Sequence, residues 1–286
     1  MAADTVTATE LTAEQVSTIL TAPLEQESRF LAAGPLMFDT NGSPVRVPRL
    51  GSAADEIQFV GENELIPEAD PDADETTLLP NGMKSVKTIT RYSNELARQS
   101  VISIDAALQN RLVADVASVL DRQFFGDTGD GVEIPAGMFA WEDTDTLAVD
   151  GELTLDAILA AQGQALGNHL DPTRMALVIR PEDFMGLRSA KDGDNRYMLT
   201  PDATAGGTPT ILGMNAIVTS HAPVGSAAVV DFSHIAVARD LAPSVKVLTE
   251  RYADYDQQAI RVVARYDAKP LHGEAVVKLT GITAAA

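Results

Sequence analysis

Four histidines, His169, His221, His234 and His272, are the side chains best suited to proton transfer near neutral pH or to metal ligation. They are far apart in sequence and share no ligand spacing, so they read as ordinary structural residues. The run Asp70-Pro71-Asp72-Ala73-Asp74-Glu75 has the oxygen density of a calcium loop. It lacks the glycine at the sixth position, and Asn81 stands where a bidentate glutamate should close the site. With 41 acidic residues, pairs of carboxylates arise by chance, and none is placed as a glycosidase dyad. There is no cysteine, which excludes disulfides, thiolate zinc, iron–sulfur clusters and cysteine nucleophiles. The motifs G-x-x-x-x-G-K-[ST], H-E-x-x-H and G-x-S-x-G do not occur, and no G-x-G-x-x-G follows a strand. No catalytic residue, cofactor or metal is therefore assigned, and the expectation is a protein that is not an enzyme.

The 286 residues suffice for one large or two ordinary domains, and 45% apolar content is that of a globular chain. The net charge of −20 argues against a nucleic-acid-coating protein, which needs basic patches to displace counterions. The charge is uneven. Residues 1–160 carry 28 acids and 9 bases, a net of −19, and the remainder is nearly neutral. The densest block contains Asp55, Glu56, Glu62, Glu64, Glu68, Asp70, Asp72, Asp74 and Glu75, with no base between Arg49 and Lys84. Such a block repels itself and belongs in an exposed excursion. The first residues have no cationic stretch or apolar core of a signal peptide, and no run is long enough to span a membrane. A soluble, cytoplasmically made chain is expected.

The elements around these residues follow from periodicity. Glu14–Leu20 has helical spacing and Glu25–Ala33 can add a turn. Ser43–Leu50, with two prolines, reads as an edge strand. Ile57–Val60 and Lys84–Tyr92 read as strands flanking the acidic block, which makes residues 44–92 a long β-hairpin with an acidic tip. Ile104–Phe125 is the clearest helix, with Leu108, Leu112, Val116, Val119, Leu120 and Phe124 on one stripe, Ser103 as cap and Gly126 as stop. Leu153–Leu170 and Glu182–Ala190 are further helices. Met175–Ile179, Ile211–Thr219, Ala227–Phe232, Ile235–Ala238, Val245–Thr249, Gln258–Tyr266 and Ala275–Leu279 are strands. Helices and strands mix without regular βαβ alternation, so the class is α+β.

The order of several short motifs resembles the tailed-phage major capsid proteins of the Hong Kong 97-like fold. Phe59-Val60-Gly61-Glu62 is similar to the stretch that opens the extended loop in that family. Ser93 and Glu95-Leu96 match the lead into the spine helix. Phe124-Phe125-Gly126-Asp127-Thr128-Gly129 and Ile134-Pro135-Ala136-Gly137-Met138 resemble the glycine loop after it. Further on, Pro181-Glu182-Asp183, Asn195-Arg196-Tyr197-Met198, Ile211–Val218 (with Asn215-Ala216 for the usual proline-valine) and Val229–Ser233 resemble later landmarks. The resemblance covers about residues 44–280.

It implies an N-terminal arm (1–43), an extended β-hairpin loop (44–92), a peripheral domain with a long spine helix (93–150), an axial domain (151–242) and closing strands shared by both (243–286). It implies a structural subunit of an icosahedral viral capsid around double-stranded DNA, self-assembling into hexamers and pentamers and located in the virion. Its partners would be many copies of itself, a portal, and scaffolding or decoration proteins, with DNA enclosed but not specifically bound. Nothing before residue 44 looks like an internal scaffolding domain. Lys84 and Lys87 lie on the returning strand and no asparagine follows Asn215, so autocatalytic crosslinking is not expected. Candidate intersubunit residues are Ile57, Phe59, Glu62, Glu64, Lys84, Val86, Lys87, Ile89 and Arg91. Candidate inner-surface residues are Asp105, Arg111, Asp115 and Asp121. The competing readings are an encapsulin shell around a cargo enzyme and an acidic hydrolase.

Overall fold

The computed structural model describes residues 27–50, 59–63, 66, 73–95, 104–191, 209–240, 244–248 and 250–283. The first expected helix, Glu14–Leu20, and the cap at Ser103 lie outside these residues.

A short helix α1 (Arg29–Ala32) leads into β1 (Leu36–Thr40) and β2 (Val45–Leu50). β3 (Ala73–Leu78) returns antiparallel to β2, pairing Val45 with Leu78 and Leu50 with Ala73. The hairpin thus closes through the acidic stretch itself. The sequence paired Ile57–Val60 with Lys84–Tyr92, but Phe59 and Val60 are in no strand. The returning segment forms β4 (Val86–Ser93) and pairs along its whole length with β12 (Gln257–Ala264). β11 (Ser244–Leu248) adds to the far edge of β12 and completes a three-stranded sheet. Alternation in β4 and β12 gives that sheet one apolar face, and a distant strand with the same alternation satisfies it better than a charged neighbour.

The apolar face, with Tyr92, Ile260, Val262 and Ala264, shares a core with α2 (Ile104–Phe124). Leu112, Val116, Leu120 and Phe124 are buried on the expected stripe of this helix, while Val119 stays 39% exposed. With 21 residues at about 1.5 Å each, α2 runs on the order of 30 Å. Phe30 of α1 packs between Phe124 and Phe125, ring centroids 4.9 and 5.2 Å away.

The second layer is a six-stranded mixed sheet. Its members are β5 (Asp145–Gly151), β6 (Met175–Ile179), β7 (Thr210–Ile211), β8 (Met214–Val218), β9 (Ser226–Asp231) and β14 (Val276–Ile282). The order is β5-β14-β9-β6-β8-β7, with β6–β8 and β14–β5 parallel. All five residues of β6 are buried. Helix α3 (Leu155–Gly167), capped by Thr154, covers this core through Ile158, Ala161 and Ala165, and α4 (Pro181–Ser189) adds Leu187. Between the layers, β10 (Ile235–Asp240) joins β1 in parallel and β13 (Tyr266–Pro270) antiparallel. β1 and β5 were not anticipated. Leu36-Met37-Phe38-Asp39-Thr40 has no clean alternation, and Asp145–Gly151 carries two acids, the half-buried Asp145 and the exposed Asp150.

Candidate assembly interface

The hairpin is rooted before it projects. Leu78, Leu79 and Met83 are buried against Ala236 and Ala238. The Leu79 backbone N–H donates to the buried Asp267 carboxylate at 2.8 Å, and Arg265 donates to the Pro80 carbonyl at 2.7 Å. Leu79 holds φ +51°, the left-handed region that a leucine adopts only when its surroundings enforce it. Burial pushes the Asp267 carboxyl up, while the Leu79 N–H, Lys269 and Arg265 act in the opposite direction. The root is therefore a fixed pivot, and nothing in the sequence near residue 79 signals a carboxylate partner almost two hundred positions away.

Beyond the root the surface changes character. Phe59 is fully exposed, Ile66 is 77% exposed and Glu62 is exposed. Ile57 and Glu64, also proposed as contacts, lie outside the described residues. Lys84 forms an ion pair with Glu133, and its backbone N–H donates to the Glu133 carbonyl at 2.8 Å. That contact raises the lysine's pKa and ties the hairpin's return to the loop after α2. Val86 is half-buried against its own core, so it needs no neighbour to cover it, contrary to expectation. Lys87, Ile89 and Arg91 alternate with the inward residues and are exposed, with Ile89 at 43%. Arg91 lies over the Tyr252 ring, 5.2 Å from its centroid.

The glycine loop after α2 is a tight closure. A Cβ on Gly137 would sit 2.2 Å from the Gly126 carbonyl oxygen, and one on Gly129, at φ +106°, would sit 2.1 Å from that of Pro135. Only glycine permits these approaches, which explains the motif's spacing. Asp130 accepts backbone N–H bonds from Val132, Glu133 and Ile134, which lower its pKa to about 2. The loop so fixed exposes Val132 (58%) and Ile134 (43%). Beneath it, the buried Lys278 ammonium donates to the carbonyls of Phe139 and Trp141, and burial lowers its pKa.

Of the inner-surface candidates, Arg111 and Asp115 form the expected exposed i,i+4 pair at 3.0 Å. Asp105 is within α2, but its side chain lies outside the described residues. Asp121 corrects the expectation. It is only 6% exposed, and its carboxylate accepts from the Ser28 hydroxyl at 2.6 Å and from the Arg29 and Phe30 backbone N–H groups at 2.9 and 3.2 Å. It caps α1 rather than lining a surface. The first N–H groups of a helix need acceptors, and Asp121 supplies one from another element.

Among the described residues, no group of three or more histidine or acidic side chains could hold a metal, and no helix is long and apolar enough to cross a membrane. The geometry combines a rooted hairpin, a sheet face with exposed residues and a glycine-closed loop that exposes two apolar side chains.

The model of the phage capsid family matches residues 10–281. No curated protein matches the sequence. The fold is shared with solved capsid structures. The capsid of the native GTA particle aligns with a TM-score of 0.68 at 18% identity over 92% of this chain and 91% of that one. The protein of Microbacterium phage Oxtober96 gives 0.67 at 18% identity over 88% and 90%, and that of Mycobacterium phage Adephagia 0.68 at 16% over 91% of each. The family match over almost the whole chain agrees with a mixed helix-and-sheet fold of Hong Kong 97-like type; the chain belongs to the phage capsid family and is a structural capsid subunit that assembles from many copies.

Proposed function

We propose that this subunit tiles an icosahedral shell around double-stranded DNA through hexamers and pentamers, with the hairpin as the clasp between neighbours. One observation supports this most directly. Phe59 and Ile66, in the connection between β2 and β3, carry large exposed apolar area, and Ile89 on the outer face of β4 is 43% exposed, which an isolated soluble protein has no reason to present. Residues 93–150 and 151–242 would serve as peripheral and axial domains, and the exposed face of α2 around Arg111 and Asp115 would line the interior. An acidic interior lining in which Arg111 is paired with Asp115 repels phosphates over about 8–10 Å at physiological salt and leaves packaged DNA free to leave. A portal and scaffolding or decoration proteins would complete the particle. The subunit would be made in the bacterial cytoplasm and would carry no enzymatic activity.

Replacing residues 59–72 with a short Gly-Ser turn tests the clasp. The root, β2 and β3 remain, and shortening a loop changes closure entropy by less than about 1 kcal/mol. The variant is expected to fold and to form no shells by sedimentation and negative-stain microscopy. Normal shells from it would overturn the proposal.

A further inference from the structure

Between the start of α3 and one face of α4 lies a cavity of about 380 Å³, within the span of small-molecule pockets, about 300–1,000 Å³. Leu153, Leu155 and Leu187 give it apolar walls. Three acids also line it: Asp183 of α4, and Glu152 and Asp156 on either side of the Thr154 cap. No lysine, arginine or histidine lines it among the described residues. Asp183 is the unusual member. It is only 7% exposed, yet its carboxylate accepts no hydrogen bond among the described residues. Its oxygens are not sealed off, and what remains exposed of the residue gives onto the cavity. The nearest cation in sequence, Arg180, is engaged elsewhere, with Glu182 at 3.1 Å and the Ala222 carbonyl at 2.7 Å. Burial, and then Glu182, push the Asp183 carboxyl up, with Arg180 acting in the opposite direction. As the third residue of α4 it gains from the helix dipole, but a carboxylate taken out of water without a donor is costly.

We propose that this cavity binds a small linear polyamine, with one ammonium on Asp183, the alkyl chain along the leucines and a second ammonium at Glu152 and Asp156. The ligand class follows from the lining. A carboxylate within apolar walls suits a cation carried on a methylene chain. The chain covers the leucines, and the ammonium donates the hydrogen bonds that Asp183 lacks. Glu152 and Asp156 are exposed, so they meet the second charge at the solvent end. A metal ion fits less well, because no three acidic or histidine side chains converge among the described residues. The helix ends do not decide the sign: the start of α3 favours an anion and the last turn of α4 a cation, which leaves the carboxylates in control. Neither the hairpin nor α2 contributes to the cavity, so its occupancy does not depend on the clasp.

Titration calorimetry of the full-length protein with 1,5-diaminopentane tests this, at about 0.15 M salt so that diffuse attraction to a chain of net charge −20 is screened. One saturable site per subunit is expected. Pentylamine, which lacks the second ammonium, should bind up to about fivefold more weakly, and 1,5-pentanediol should not bind. Asp183→Asn keeps the shape and removes the charge, and it is expected to fold and to lower the diamine affinity on the order of tenfold or more. Ala190→Leu leaves every acid in place and narrows the cavity that Ala190 lines, so it should weaken binding as well. Diamine binding by Asp183→Asn equal to that of the parent would overturn the inference. So would many weak sites per subunit that vanish as salt rises, since those belong to the acidic surface at large. If Asp183→Asn fails to fold, Ala190→Leu decides, and unchanged affinity there has the same force. Assembled shells are titrated alongside unassembled subunits. A site open in the subunit and closed in the shell would overturn the small-molecule reading, because a neighbouring copy would then fill the cavity.

Discussion

β6 is apolar along its whole length, β4 alternates apolar with polar and charged residues, and only the first is fully covered within the subunit. Every residue of β6 is buried, with α3 and α4 packed in the same core. β4 alternates half-buried and exposed positions, because only its inner face meets the core shared with α2. A strand covered on both faces reads as a continuous apolar run, and one covered on a single face alternates. On the clasp reading proposed above, the second pattern is the one a neighbouring copy would cover. Mutation should separate the two. Leu177→Ala, at a fully buried site on β6, is expected to cost the isolated subunit about 2–5 kcal/mol in denaturant unfolding. Ile89→Ala on β4 should change that stability by about 0.5 kcal/mol or less and show its effect in assembly. Equal losses at both sites in the monomer would mean that the outer face of β4 is covered by its own chain.

The same contrast occurs along α2. Asp115 and Asp121 are less than two turns apart, and the sequence presents both as surface acids beside an arginine. Asp121→Ala leaves the Ser28 hydroxyl and two N–H groups of α1 without their acceptor, so it should cost about 2–3 kcal/mol and loosen residues 28–32 in hydrogen exchange. Asp115→Ala removes only an exposed pair and should cost about 0.3–0.5 kcal/mol. An Asp121 variant as stable as the Asp115 one would show that the carboxylate does not hold α1.

These contrasts mark what the sequence could reveal. The stripe of α2, the run of β6 and the glycine loop each depend on residues close together in the chain, and each was legible. The motif order also pointed to the family. Long-range pairing was not legible. β4 pairs with a strand more than 150 residues away, and two candidate strands with the right alternation cannot be ranked by local pattern alone. Asp121 and Asp267 were misread or missed for the same reason. A buried carboxylate is identified by the N–H groups it satisfies, here on α1 and at Leu79, and those come from elsewhere in the fold. Of the exposed apolar residues between β2 and β3, the sequence singled out Phe59 as part of a strand beside the acidic block and did not single out Ile66.

The smallest expected effect concerns the seam between hairpin and body. The His272 and His234 rings are 5.5 Å apart, and the Asp231 carboxylate lies 3.9 Å from His234 Nε2. The His272 pKa is lowered first by burial, then by His234 and by Arg49 of β2, with Glu274 acting in the opposite direction. A histidine whose folded pKa lies below its unfolded value of 6.5 is protonated first in the unfolded chain as pH falls. Its contribution to stability is therefore present above about pH 7 and is lost through the window that opens near 6.5 and extends down to the folded pKa. Because the side chain is largely exposed, solvent screening keeps the effect below about 1 kcal/mol. Urea unfolding of the unassembled subunit at about pH 7.5 and about 5.5 should show this loss, and His272→Gln should reduce it, with the difference between the two proteins cancelling the carboxylates common to both. If the variant instead lost more stability than the parent over that interval, protonated His272 would be favoured in the fold, and the hairpin's Arg49 would not be pressing on it.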